Sequence, residues 1–225
     1  MSGYQLSNGS TIQQSKTLSA SVVVTGISNA VKPVITLEEE LSGLAAGDFV
    51  LLNTAWIDLD NGVYEVEAVT TTAVTLKADA EGLINTTDTT RFPAGAGAGE
   101  LRKIIDWVSV PYTTDVNTTG GEQQTVQFQP IQLDRAITLN TFKNGYTQAF
   151  TITHDAADEI RPLLVQQDRT QEVVAVRFNN PRAKEVRVYG AQVSFARIPT
   201  VASNAIETCT ITYSLQSNMT IYKTA

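Results

Sequence analysis

Catalysis needs a nucleophile with a base in reach, paired carboxylates or a metal constellation. The 225-residue chain has one histidine and one cysteine to offer. His154 adjoins Asp155 where an alternating stretch ends, and it reads as a loop or helix-entry residue rather than a general base. Cys209 alternates with Ile211 and Tyr213, the placing of a small core side chain. One His and one Cys make no conventional zinc site. Asp58-Leu59-Asp60-Asn61-Gly62 has the acids of a calcium loop, but its glycine comes one place early and Val69 stands where a bidentate glutamate belongs, so it reads as a turn. Gly95, Gly97 and Gly99 lack the Lys-Ser/Thr of a phosphate loop and open no helix. Arg177, Arg182, Lys184 and Arg187 gather around one turn, suited to salt bridges between subunits or to solubility rather than to phosphate. No catalytic residue, cofactor or metal is expected.

Backbone pattern says more than reactive groups. In Gly120-Gly121-Glu122-Gln123-Gln124-Thr125-Val126-Gln127-Phe128-Gln129-Pro130-Ile131, Gln123, Thr125, Gln127 and Gln129 alternate with Gln124, Val126, Phe128 and Pro130. A period of two predicts a strand with one half-buried face. Its polar face is amide and hydroxyl, whereas natural sheets usually guard exposed edges with Lys or Glu. Such a strand is poorly defended against association with other chains.

The length and the apolar content of 42% suffice for one large β domain or two small ones, and two is the working count. The single cysteine marks no oxidising compartment. The opening residues have neither the basic region nor the apolar core of a signal peptide, and no apolar run approaches a membrane span; a soluble chain made in a cytoplasm, without membrane insertion, is expected. The net charge of -7 disfavours gripping nucleic acid, because DNA affinity comes largely from cations replacing phosphate counterions. Residues 1 to 100 carry 12 acids against 4 bases, residues 101 to 225 carry 11 against 12. So abrupt a shift points to two units with different surroundings.

In chain order, Tyr4 to Ser21 is polar and reads either as a disordered tail or as an arm that gains structure on a neighbour. Residues 22 to 99 read as a compact all-β module with strands near Ser21 to Thr25, Val34 to Leu37, Phe49 to Asn53, Val63 to Val69 and Val74 to Ala78. Phe92 to Gly99 breaks every periodicity and reads as a flexible connector. Past it, Ile104 to Val110 and the Gly-Gly strand flank a long polar loop, Thr113 to Thr119, in an extended hairpin; further strands are expected at Ala136 to Leu139, Tyr146 to Thr153, Glu172 to Phe178, Glu185 to Phe195 and Glu207 to Leu215. One short helix is predicted from an Asp158 N-cap, with Pro162 in its first turn and Ile160, Leu163 and Leu164 as its apolar stripe. In the last strand Thr208, Thr210, Thr212 and Ser214 again form an outward face of hydroxyls.

The sequence resembles the tail tube proteins of long-tailed, siphovirus-type bacteriophages. The carriers are Tyr4 to Ser10, Arg91 to Gly95 continuing to Arg102-Lys103, Gly120 to Phe128, Pro130 to Lys143 ending Leu139-Asn140-Thr141-Phe142-Lys143, and the C-terminal strands. Residues 22 to 99 separately resemble a small β module found inserted in phage tail proteins, through Gly26 to Ala30, Leu44 to Asp48 and Leu59 to Gly62; relatives commonly have an Ala-His-Gly-Leu-like turn where this chain has Leu41-Ser42-Gly43-Leu44. The resemblance implies a mainly β fold: a tail-tube β-sandwich with one short α-helix (100 to 225), an N-terminal arm (1 to 21) and the inserted small all-β domain (22 to 99) on the tube exterior. It implies hexameric rings, each subunit giving four strands to a continuous barrel, stacked into the conduit for the genome. The implied partners are copies of itself, a tape measure protein, and tail terminator or tail tip proteins, in a virion tail assembled in a bacterial cytoplasm.

A bore must let DNA slide without sticking, and amides, hydroxyls and a few acids offer no counterion release. The lumen candidates are Asp115, Glu122, Gln123, Thr125, Gln127 and Gln129, and the inter-subunit candidates are Tyr4, Leu6, Arg177, Arg182, Lys184 and Arg187. The competing reading is a monomeric or trimeric receptor- or glycan-binding module, which needs an exposed aromatic platform; Trp56 and Trp107 lie in separate units. A hydrolase lacks a site.

Overall fold

A computed structural model describes residues 9–224. Strand β1 (Thr11–Leu18) is followed by β2 (Val22–Ile27), β3 (Val34–Leu37), β4 (Phe49–Thr54), β5 (Gly62–Val69), β6 (Ala73–Leu76) and the long β7 (Gly99–Ser109). The order β2-β3-β6-β5-β4-β7 returns on itself, because Val22 and Val24 of β2 pair with Leu101 and Gly99 of β7. Closure removes every edge from this six-stranded barrel. Its interior is filled by Val24, Ile35, Val50, Leu52, Val74, Leu76 and Leu101, all fully buried. These are β-branched and leucine residues from the alternating runs that the sequence marks as strands.

β7 then leaves the barrel, and its second half pairs with β1, Ser109 opposite Gln13 and Ile104 opposite Leu18. The barrel is therefore carried on the connection between two neighbouring antiparallel strands. The stretch Phe92 to Gly99, expected to be a flexible connector between two units, lies within the barrel between β6 and β7 and is anchored at Phe92 and Gly97. Phe92 is buried against Trp56, whose indole donates to the Pro93 carbonyl (3.2 Å), and a side chain at Gly97 would meet Ile27 and Trp56 at 3.1–3.2 Å. Small residues serve here for close approach to the barrel, which composition alone does not distinguish from looseness.

The polar segment before residue 22 also differs from expectation, since Thr11–Leu18 is a strand. Gln14 and Ser15 are buried, but their polar atoms are satisfied: the Tyr213 hydroxyl donates to Gln14 Oε1 (2.6 Å), Gln14 Nε2 donates to Gln167, and Ala175 N donates to Ser15 Oγ (3.0 Å). A buried amide is tolerated when it is bonded, so hydropathy misjudged this segment.

The rest of the chain gives β8 (Thr113–Thr119), β9 (Gln123–Phe128), β10 (Ile137–Lys143), β11 (Thr147–Thr153), helix α1 (Ile160–Thr170), β12 (Val174–Asn180), β13 (Glu185–Thr200), β14 (Thr208–Leu215) and β15 (Thr220–Lys223). The antiparallel order is β7-β1-β12-β13-β14-β11-β8, with β15 on the first part of β13. β13 is the hinge of this sheet: Glu185 to Ala191 pairs with β12, and Ala191 to Thr200 with β14. The sheet thereby folds over a core of Ile12, Phe150, Ile152, Val176, Val193, Ile211 and Tyr213, closed by Ile160 and Leu164 of α1. The helix begins beside the expected cap, with Ile160 N donating to Asp158 Oδ1 (3.2 Å) and Pro162 in the first turn.

Barrel and sandwich share an apolar contact. Phe49, Leu51 and Val63 of the barrel wall meet Ala175, Val188 and Tyr222, and Glu65 N donates to the Tyr222 hydroxyl (3.2 Å). This explains why β12 is apolar on both faces: Val176 serves the sandwich core and Ala175 the contact.

Candidate functional site

A segment expected as a loop proves to be a strand. Thr113–Thr119 is strand β8, not a loop, and it pairs with β11 from Ile152 opposite Thr113 to Thr147 opposite Thr119. The register runs on through Gly120 and Gly121, where Gly121 N donates to Asn144 O and Asn144 N to Glu122 O, to Gln123 opposite Lys143. β8 with β9 and β10 with β11 thus form the two arms of one long hairpin. Both glycines have positive φ, and a side chain at Gly120 would lie 2.1 Å from the Gly145 carbonyl, so the bend needs glycine. Beyond the bend, β9 and β10 pair only with each other.

The four strands β13-β14-β11-β8 put one face on the core and the other toward solvent. Core-facing Phe150 and Ile152 are opposite Ile211 and Cys209. On the other face, Thr147, Ala149 and Thr151 of β11 lie opposite Ser214, Thr212 and Thr210 of β14 and opposite Thr119, Asn117 and Asp115 of β8, with Gln192, Ser194 and Ala196 of β13 beyond. Asp115 is the one ionisable group among them. Threonine suits both demands on such a face, since its β-branch favours the strand and its hydroxyl stays neutral at every accessible pH.

Register places Gln123, Thr125 and Gln127 on the continuation of this uncharged face, along with Thr138 and Asn140 of β10. The expected lumen residues Asp115, Gln123, Thr125 and Gln127 are therefore brought together. Glu122 has the opposite parity and sits in the bend; its own backbone N–H and then Asn144 Nδ2 (3.3 Å) hold its carboxyl below the usual range. Gln129 lies in the hairpin tip, where its amide donates to Leu133 O (3.3 Å). The opposite face of the β9–β10 ribbon is apolar: Val126 opposite Leu139 and Phe128 opposite Ile137, with Val126, Phe128 and Leu139 about half exposed.

Of the other candidates, Tyr4 and Leu6 lie outside the described residues. Arg177 is turned inward, its guanidinium 4.4 Å from the Trp107 ring centroid and bonded to Gln13 Oε1 (3.0 Å), and burial lowers its pKa. Arg187 bonds Glu185 (2.9 Å), while Arg182 and Lys184 are exposed in the β12–β13 turn. Thr147, Thr151, Asn117, Thr119 and Ser194 belong to the uncharged face but were not singled out from the sequence. Their signal, hydroxyl alternation, is present; what joins them is strand order.

The structure does gather His154, Cys209 and Arg161. Arg161 Nη1 lies 3.0 Å from His154 Nδ1 and Cys209 Sγ lies 3.7 Å from it. The guanidinium can only donate, so the ring nitrogen facing the thiol is already used as an acceptor and is no base for it. The trio ties helix to sheet. The Asp60 carboxylate accepts from Thr54 N (2.9 Å) and Asp58 from Arg91, so the aspartates of that turn serve their own fold. No metal-holding cluster occurs among the described residues, and no helix among them is long and apolar enough to cross a membrane.

A family model described as phage tail tube protein, TTP, matches residues 54–224. A chain from the 6-fold symmetrised cryo-EM structure of the anti-feeding prophage baseplate is 11% identical, over 53% of this chain and 86% of that chain, with a TM-score of 0.38. No curated protein sequence matches.

Proposed function

Because the chain belongs to the phage tail tube protein family, a structural and not an enzymatic component of the virion tail that assembles with copies of itself, we propose that it forms stacked hexameric rings through which the genome passes. Each copy contributes the sheet β13-β14-β11-β8 to a closed barrel, with the threonine-rich face toward the bore. The observation carrying this reading is that face: four adjacent strands whose solvent side has a single carboxylate, Asp115. Hydroxyls and amides release no counterions from DNA, so a duplex in contact with them is not held. Among the described residues the sheet also ends in β8, a strand paired on one side only. Joining it to the next copy removes an edge that would otherwise recruit strands at random.

Among the described residues, the β9–β10 ribbon has no second layer beneath its apolar face. A two-stranded sheet is marginal alone in water. In the assembled tube its Val126, Phe128 and Leu139 are covered by a copy in the adjoining ring, and Gln123, Thr125 and Gln127 prolong the neutral wall. The unit 22–99 stands on the tube exterior, where its surplus of acids does not meet the genome; residues 1–21 contribute both β1 and contacts of Tyr4 and Leu6 to neighbouring copies. Arg182 and Lys184 reach other subunits from their turn. Tape measure, terminator and tip proteins are the remaining partners.

Helical reconstruction of the polymerised protein tests the reading. The expected map has Thr151, Thr210 and Thr212 at the bore and the six-stranded barrel outside. A bore lined by that barrel, or a protein that remains monomeric at every concentration, would sink it.

A further inference from the structure

The lateral edges of the four-stranded sheet are not bare. β12 stops pairing with β13 at Ala191, so from Gln192 to Thr200 β13 has β14 on one side and, among the described residues, no strand on the other. On that open side, three side chains from α1 and its cap occupy alternate residues of β13. Gln171 Nε2 donates to Val193 O (3.2 Å), Phe195 N donates to Asp168 Oδ1 (3.1 Å), and Arg161 Nη2 donates to Arg197 O (3.0 Å). Positions 193, 195 and 197 are those an antiparallel strand would bond, since backbone groups point to one side at every second residue. The other edge, β8, has a smaller version: Val116 N donates to the Asp115 carboxylate (2.9 Å).

The Asp168 contact is not required by the helix. Asp168 lies in its last turn, where the negative end of the dipole disfavours a carboxylate. Gln171 sits just past the end in a left-handed conformation (φ 54°), and its amide bridges the Asp168 carbonyl of the last turn (2.5 Å) and β13. Asp168 is placed for the strand, and Gln171 serves helix end and strand together.

Resting on the tube reading, we infer that this edge is the docking strip for β8 of a second copy, and that α1 side chains hold it closed until then. Joining two copies exchanges the bonds of Arg161, Asp168 and Gln171 for main-chain bonds from β8, and releases Val116 N from Asp115. An edge whose groups are already bonded gains only the difference on pairing. Free chains therefore stay apart, while a copy presented with an existing ring adds to it.

The test compares wild type with Asp168→Ala and Gln171→Ala in polymerisation by light scattering, with amide hydrogen exchange in monomer and polymer. Loosening the strip is expected to lower the concentration at which polymer appears, about tenfold for one such bond. The Phe195 and Val116 amides should become far slower to exchange in polymer than in monomer. Asp168→Ala removes an acid from the helix C-terminus, so the helix itself is not weakened. An unchanged or higher threshold in both variants, together with unchanged Phe195 exchange in wild-type polymer, overturns the inference. So does a wild-type polymer map in which Asp168 still holds Phe195 N. A wild-type chain that never polymerises instead overturns the tube reading, and this inference with it.

Discussion

The six-stranded barrel and the β8–β11 hairpin are built from similar strands and end in opposite conditions. In the barrel every strand has two neighbours, the core side chains are fully buried, and the connection before β7 is anchored in the wall by Phe92 and Gly97. In the hairpin, among the described residues, β8 has one neighbour, the ribbon has no layer beneath it, and Val126, Phe128, Leu139 and Phe142 face solvent. The barrel closes within one chain, and the hairpin, among the described residues, does not. Charge follows the same division, since before residue 101 the acids outnumber the bases 12 to 4 and the hairpin face carries almost no charge. A region complete in itself needs repulsion from its surroundings, and a region completed by copies needs neutrality.

If the comparison holds, truncating buried side chains should separate the two regions most widely. Leu52→Ala in the barrel should cost about 3–5 kcal/mol of unfolding free energy in guanidinium titration of the monomer, as for other fully buried leucines. Leu139→Ala on the ribbon should stay within about 0.5 kcal/mol while weakening polymerisation. A large monomer cost at Leu139 would mean that the ribbon is covered by its own chain.

The contact between barrel and sandwich gives the next largest effect. A side chain at Gly190 would lie 2.0 Å from the Asn61 carbonyl, backbone against backbone. Gly190→Ala should therefore cost about 1–3 kcal/mol and split a single unfolding transition into two. One unbroken transition at wild-type midpoint would show that the two regions are not coupled there. The buried amides come third. Tyr213→Phe leaves Gln14 Oε1 without its hydroxyl donor and should cost about 1–2 kcal/mol, with β1 amides exchanging faster and the barrel unaffected.

The barrel was legible because its strands are short apolar runs between turn residues, and five of them fall within a residue or two of the expected limits. β1 was not, because Gln14 and Ser15 look solvated until Tyr213, from 199 positions away, supplies the bond. β8 was not, because Thr-Thr-Asp-Val-Asn-Thr-Thr has no apolar alternation and owes its extension to β11. The neutral face was legible strand by strand at Gln123 to Gln127 and at Thr208 to Ser214. That these lie on one sheet depends on register across β11, which no local pattern encodes. The edge contacts of Asp168 and Gln171 were invisible for the same reason: they join a helix end to a strand more than twenty residues away.

The smallest expected change in the monomer bears most directly on what the neutral face is for. Thr210 and Thr212 are partly exposed and directly opposite Thr151 and Ala149, with no hydrogen bond of their side chains at stake among the described residues. Replacing both by lysine should shift monomer stability by no more than about 0.5 kcal/mol per site. In a six-membered ring the same change sets twelve ammonium groups around the bore at each level. Each phosphate neutralised by them releases counterions, so tubes of this variant should retain duplex or single-stranded DNA at low salt and free it as salt rises, where wild-type tubes retain none. Placing the same two lysines on the barrel at Thr25 and Thr71, both exposed, should leave DNA passage through the tube unchanged. Equal retention by both pairs would mean that position on the tube does not matter and that the threonine face is not the wall of the conduit.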